Sequence, residues 1–215
     1  MIPKVIHYCW FGGNPRNELI TRCMESWNLI LPDYEIKEWN ETNSPVEIPY
    51  CKAAHEKELW SKVSNYVRLW ALYNEGGLYL DTDVQVLKRF DDLLHLDCFL
   101  GFQDVQERKG WVANGVIGAK KANDFMKKCM DKTLEIFEEK NEFIISPQMT
   151  TLVLKEMGLK EYGYQVIDDV TLFPVEYFYP YTWLVDYDPS YITPNTYSVH
   201  HWNMSWVKNK PIRKK

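Results

Sequence analysis

Two aspartates one residue apart, Asp81 and Asp83, close the run Gly76-Gly77-Leu78-Tyr79-Leu80-Asp81-Thr82-Asp83-Val84. In an extended segment, residues two apart share a face, so this spacing predicts that both carboxylates project together while Thr82 turns away. Neighbouring carboxylates repel, and a site that keeps both ionised holds a cation between or near them. Oxygen ligands favour Mg2+ or Mn2+, with remaining positions filled by water and substrate phosphates. The bland counterpart is a strand ending in a polar turn.

The residues before the pair sharpen the first reading. Ser61, Ser64, Asn65 and Arg68 recur three or four apart, forming one stripe of a helix. An arginine there, one helix and one glycine turn before the aspartates, can reach a carboxylate or a phosphate bidentately, or is an ordinary surface arginine. Gly76-Gly77 allows a tight reversal and removes side chains beside the site, and it also supplies an ordinary helix C-cap. Trp10 ends an apolar run and is followed by Gly12-Gly13, so its ring is either core or an open platform for a base. His200-His201 on a strand sends two rings to opposite faces, so at most one can serve a metal, and the pair fits satisfied core residues near tryptophans equally well. Lys120-Lys121 and Lys127-Lys128 share a helix with Glu135, Glu138 and Glu139, which reads as a solvated face.

These residues must be held by elements, and the pattern predicts them in alternation. Lys4 to Trp10 is a buried strand, and Ile20, Cys23, Met24 and Trp27 form a helical stripe ending near Leu31-Pro32. Tyr34 to Trp39 is a second strand and Asn40 to Pro49 a loop. A helix spans Trp60 to Asn74, and Leu78 to Leu87 is one strand carrying both aspartates. Strands follow at Asp97 to Phe102 and Val112 to Ala119, with a polar loop from Gln103 to Gly110. Helices follow at Ala122 to Lys140 and from Pro147 to Met157, and Tyr164 to Trp206 is aromatic and strand-like. The alternation predicts one α/β domain over residues 1–207, followed by a basic tail over 208–215.

Composition narrows the class. A chain of 215 residues buries roughly 70–75% of its unfolded surface, enough for one self-supporting domain. A formal charge of −5 makes an electrostatic grip on nucleic acid a poor default. No apolar run approaches the roughly 20 residues that span a bilayer, and Met1-Ile2-Pro3-Lys4 has no leader pattern. The five scattered cysteines (Cys9, Cys23, Cys51, Cys98, Cys129) read as reduced thiols of a cytoplasmic protein. Lys208, Lys210, Arg213, Lys214 and Lys215 suggest either a solubilising tail or peripheral docking on anionic lipid at the inner membrane face. Aromatic residues reach 15%, more than the core obviously needs, and flat rings suit sugars and nucleobases.

Three motifs in order resemble glycosyltransferase family 32, which is distantly similar to the glucosylating clostridial toxins. They are Ile2-Pro3-Lys4-Val5-Ile6-His7-Tyr8-Cys9-Trp10-Phe11-Gly12-Gly13, then Val63 to Arg68 with Gly76 to Asp83, then Val199-His200-His201-Trp202-Asn203-Met204-Ser205-Trp206. The resemblance implies a GT-A type α/β fold, with a mixed central sheet flanked by helices. It implies Mn2+ (or Mg2+), a UDP- or GDP-sugar donor, a saccharide acceptor and transfer with retention, as in surface or capsular polysaccharide synthesis. Under it, Asp83 binds the metal directly, Asp81 contacts the donor and reaches the metal through water, and His200 sits near the metal. Trp10 stacks on the base, with backbone around Tyr8 and Trp10 reading its edge. Arg68 holds a donor hydroxyl or phosphate, Asn114 touches the transferred sugar, and Ser205 and Trp206 close over the diphosphate. Ser146-Pro147-Gln148 lines the acceptor side. Asn65 departs from the family, where Asp is typical; it keeps an acceptor oxygen and loses the charge.

Two other classes fit parts of the pattern. Haloacid-dehalogenase-like phosphohydrolases also carry D-x-D after an apolar strand, but on the first strand, whereas two strands and two helices precede it here. A protein that binds nucleotide sugar or glycan without turnover is compatible with Asn65 and the aromatic load.

Overall fold

The computed structural model describes residues 1–104 and 110–203. The central sheet has seven strands: β1 (Val5–Cys9), β2 (Glu35–Trp39), β3 (Gly77–Leu80), β5 (Cys98–Phe102), β6 (Val112–Ala119), β7 (Gln165–Ile167) and β8 (Val170–Phe173). Their order is β2-β1-β3-β6-β5-β8-β7. A second, two-stranded sheet pairs β4 (Val84–Val86) with β9 (Ser198–His200). Strands β1, β2 and β3 run parallel, while β6 is antiparallel to both β3 and β5. Parallel neighbours need crossover connections. Helix α1 (Glu18–Ile30) supplies one, and α2 (Pro49–Glu56) with α3 (Trp60–Glu75) supplies the other. Helices α4 (Asp124–Lys140), α5 (Ser146–Glu156) and the short α6 (Val175–Phe178) complete the chain.

Alternate residues of each central strand enter opposite layers. Ile6, Tyr8, Leu78, Leu80, Phe99 and Val116 pack with Trp27 of α1 and the aromatic C-terminal segment. Cys9, Tyr79, Leu100 and Ile117 pack with Val67, Leu72, Cys129 and Met149 of α3, α4 and α5. This is the two-period alternation of a sheet covered on both faces.

Three expectations are corrected. The predicted strand from Leu78 to Leu87 is two strands in two different sheets, because the chain turns between Asp81 and Val84. Helix α2, within a stretch given no element, buries Tyr50, Cys51 and Ala54 and has Pro49 in its first turn, where the missing N–H costs nothing. The strand-like stretch from Tyr164 is mostly irregular, with three short strands among the described residues. Most of the aromatic surplus is core: Phe90, Phe99, Phe178 and Tyr197 stack on one another and fill the layer that this irregular segment covers. Among the described residues no helix is long and apolar enough to cross a membrane. The predicted loop from Gln103 to Gly110 lies partly, and the basic tail wholly, outside the described residues.

Candidate active site

Helix α3 ends at Gly76, whose N–H closes the last turn on Leu72 O at φ 71°. Gly77 follows at φ 118°, where a Cβ would lie 2.6 Å from Val5 O, so only glycine lets the chain enter β3 flush against β1. His7 fastens this corner, donating from Nε2 to Gly76 O (2.7 Å) while its Nδ1 accepts from Trp39 Nε1 (3.1 Å).

Strand β3 stops at Leu80, and Asp81 to Val84 form a turn in which Val84 N–H donates to Asp81 O (2.9 Å). The two carboxylates therefore converge through a turn and not through the alternation of an extended strand. Asp81 is held by its own N–H on Gly115 O (2.8 Å). Its Oδ1 accepts from Tyr79 Oη (3.0 Å) and faces Arg68 Nη2 at 3.3 Å. Asp83 Oδ2 accepts from Asn203 N–H (2.7 Å), and Asp83 O accepts from His201 N–H (2.9 Å).

The third member comes from the far end of the chain. Antiparallel pairing of β4 with β9 sets Val84 opposite His200, which places His200 Nε2 3.2 Å from Asp83 Oδ1 and 3.6 Å from Asp81 Oδ2. The ring is wedged by Trp202, edge-on at 4.2 Å. His201 points away, donating from Nε2 to Gln85 Oε1 (2.9 Å) and facing Tyr181. Only one of the paired histidines serves the cluster, as strand geometry requires. Burial disfavours the Asp83 carboxylate, but the adjacent His200 and the Asn203 N–H outweigh it and hold the group at about 2. Burial likewise opposes the His200 charge, and Asp83 with Asp81 overcomes it, pushing the imidazole up to about 9.

One ligand atom from each of Asp81, Asp83 and His200 lies within 4.8 Å of the others. Two carboxylates and one imidazole suit a divalent ion such as Mn2+ or Mg2+. The space between them is kept open by Gly115, where a Cβ would stand 3.0 Å from Asp81 Oδ2 and 3.1 Å from His200 Cδ2. Donor chemistry and cradle both fit a metal.

The other expected residues divide. Arg68 is buried and engaged by the protein: Nε donates to Ser64 O, Nη1 to Asn114 O (2.6 Å) and Nη2 to Asn65 Oδ1 (3.4 Å), over the Tyr79 ring. Asn114 donates from Nδ2 to Thr150 Oγ1 (2.7 Å), and its buried Oδ1 has no partner among the described residues. Ser146 Oγ, at the start of α5, is also buried and unpartnered. Tyr8 and Trp10 lie at and just beyond the end of β1. Tyr8 is buried with its hydroxyl on Glu38 Oε2 (2.6 Å), and Trp10 is half-buried with Nε1 donating to Asn14 O (2.9 Å). Ser205 and Trp206 lie outside the described residues. Sequence reasoning missed Tyr79, Gly115 and Asn203 as parts of the site. Tyr79, two residues before Asp81, and the pair Asn114-Gly115 were visible signals, but Asn203 acts through its backbone and left none.

Comparison with known proteins follows the same lines. The family described as "Glycosyltransferase sugar-binding region containing DXD motif" matches residues 17–100, and "Alpha 1,4-glycosyltransferase conserved region" matches residues 118–215. Lactosylceramide 4-alpha-galactosyltransferase of Mus musculus is 30% identical over 207 residues, 89% of this chain and 55% of that protein. The chain thus spans about half the length of this curated relative. The protein of the same name from Pongo pygmaeus is 30% identical over 162 residues, 69% of this chain and 70% of that one. The galactosyltransferase LgtC, solved with donor and acceptor sugar analogues, superposes at a TM-score of 0.56 with 15% identity, covering 96% of this chain and 90% of that one. That likeness shows the GT-A fold. The chain belongs to the glycosyltransferases whose sugar-binding region contains the DXD motif.

Proposed function

We propose that this chain transfers a hexose from a UDP- or GDP-sugar to a saccharide acceptor, with retention of anomeric configuration and with help from Mn2+ or Mg2+. The observation that carries the reading is the meeting of Asp81, Asp83 and His200 around the space left by Gly115. These three side chains would hold the metal, which when bound would offset the negative charge developing on the leaving diphosphate, worth several kcal/mol. Arg68 and Tyr79 hold Asp81 Oδ1, leaving Oδ2 toward the cation. Asn114 Oδ1, buried and unpartnered, accepts a hydroxyl of the transferred sugar. Trp10 carries the base, with backbone around Tyr8 and Trp10 at its edge, Asn65 faces the sugar, and Ser205 and Trp206 are assigned to the diphosphate.

Asp81 and Asp83 would hold the cation, and no other Asp or Glu in the sequence announces itself as a covalent nucleophile. The acceptor hydroxyl attacks on the face the diphosphate leaves, and the departing phosphate oxygen takes its proton. The reading is supported by the family membership and, for the choice of first substrates, by the name of the mammalian relatives: a galactosyl donor and an acceptor bearing lactose. A role in surface polysaccharide synthesis stays within the proposal. So does a cytoplasmic setting, supported by five buried cysteines without a disulfide. Docking of residues 208–215 on anionic lipid belongs here as well; liposome binding unchanged by deletion from Lys208 onward would remove it.

The test is incubation with UDP- and GDP-hexoses and saccharide acceptors, with and without Mn2+. Nucleoside diphosphate and a glycoside of unchanged anomeric configuration should form together, and Asp83→Asn should abolish both. Binding without turnover, or a glycosyl group trapped on an aspartate or glutamate, would overturn the mechanism.

A further inference from the structure

Beside Trp10 lies a charged residue that neither the motifs nor the metal cluster uses. Arg16 sits at the entrance to α1, immediately before the Asn17 N-cap. Its Nη2 donates to Glu38 Oε2 (2.5 Å) and to Tyr8 Oη (3.0 Å). The guanidinium carbon stands 5.4 Å from the centre of the Tyr8 ring and 5.6 Å from that of Trp10, within cation–π reach of both. The side chain is 35% exposed, and Nε and Nη1 have no partner among the described residues. One side of the arginine is thus fixed, and the other is presented to solvent beside the indole.

Two neighbouring polar side chains are already engaged. Trp10 Nε1 is spent on Asn14 O. Glu38 accepts from Tyr8 and Arg16 on Oε2 and from Asn40 Nδ2 (3.0 Å) on Oε1. Both carboxylate oxygens thus already accept hydrogen bonds, and the unpartnered groups of Arg16 are N–H donors. The platform is also joined to the metal cluster: Asn17 Nδ2 lies 3.5 Å from Asn203 Oδ1, and the Asn203 N–H is the one that holds Asp83.

We propose that Arg16 is a specificity-determining residue of the nucleotide site, donating from Nε and Nη1 to a carbonyl oxygen on the edge of a base stacked at Trp10. This rests on the donor reading given above. Uracil offers O4 and guanine O6 as acceptors, whereas cytosine and adenine carry an amino group at that edge. An arginine confronted with an amino group pairs donor with donor and leaves both unsatisfied. Arg16 therefore selects keto bases over amino bases, whichever ring size the pocket admits.

The experiment titrates the full chain, saturated with Mn2+, with UDP, CDP, GDP and ADP, following tryptophan fluorescence or heat. The wild-type chain should prefer UDP to CDP, or GDP to ADP, by about tenfold or more. Arg16→Gln, whose amide can turn either its oxygen or its NH2 to the base, should shrink that preference to about threefold or less. Its thermal midpoint and its affinity for Mn2+ alone should match the wild type. If the Gln variant does not fold, Arg16→Met carries the same comparison. A wild type without keto preference, or a variant that retains the wild-type preference, overturns the inference while leaving the donor reading in place. A wild type that binds none of the four nucleotides overturns the donor reading, and the inference falls with it.

Discussion

Tyr79 donates its hydroxyl to Asp81 Oδ1 at 3.0 Å, from a ring that also lies under the Arg68 guanidinium. The phenol and the arginine together occupy one oxygen of the carboxylate and turn the other toward His200. Such outer contacts orient a metal ligand and commonly tune affinity by 10–100-fold. Tyr79→Phe should keep the fold and weaken Mn2+ binding by about tenfold, measured by calorimetric titration. An unchanged affinity would show that the turn alone orients Asp81.

Gly115 is the floor of the candidate metal cradle, although it belongs to β6 and the aspartates to the turn between β3 and β4. Its φ lies outside the left-handed region, so alanine meets no backbone strain. The added methyl would instead stand 3.0 Å from Asp81 Oδ2 and 3.1 Å from His200 Cδ2. Gly115→Ala should leave the circular dichroism spectrum unaltered and lower Mn2+ affinity about tenfold or more, with turnover falling in step.

A metal bound at the candidate site would compete with a proton at His200. Without metal, the folded imidazole titrates at about 9, above its ordinary 6.5. The stabilisation from its pairing with Asp83 is therefore complete below about 6.5 and fades as pH rises through about 9. Seen from Asp83, held at about 2 against an ordinary 3.8, the same pairing is complete above 3.8 and lost as pH falls toward 2. A divalent ion needs the imidazole neutral, so at neutral pH its binding expels about one proton. Mn2+ titrations in buffers of different ionisation enthalpy should show that release, with affinity rising up to about tenfold per pH unit below about 9. His200→Ala should abolish the release, and His201→Ala should not.

Arg68 is the buried cation that balances Asp81 and ties α3 to the Asn114 backbone. Removing one member of a buried pair leaves the other charge without compensation. Since Asp81 retains some exposure, Arg68→Met should cost about 3 kcal/mol of folding stability, at the lower end of that class. Arg68→Lys should recover only part of it, because one ammonium cannot span Asp81, Asn65 and Asn114 O at once. Urea unfolding with and without Mn2+ would measure both.

The residue types alone established the chemistry in outline. Two aspartates after an apolar run and an arginine on a polar helical stripe point toward a cation site, because ligand preference is a property of side chains, whereas the histidine pair joined that reading only through the family resemblance. The main helices and most strands were legible for the same local reason, since burial periodicity is written over a few neighbouring residues. Helix α2 was not, because its apolar positions are few and two prolines precede its core.

What tertiary structure decided is how those groups meet. The break after Leu80 depends on Gly115 O accepting the Asp81 N–H from a neighbouring strand. His200 reaches Asp83 only because β9 pairs with β4 in the register Val84 opposite His200. The unfilled volume at Gly115 becomes a cradle only once β6 lies beside β3. Each of these is a long-range pairing selected by the burial of both sheet faces together, an energy that no window of neighbouring residues contains.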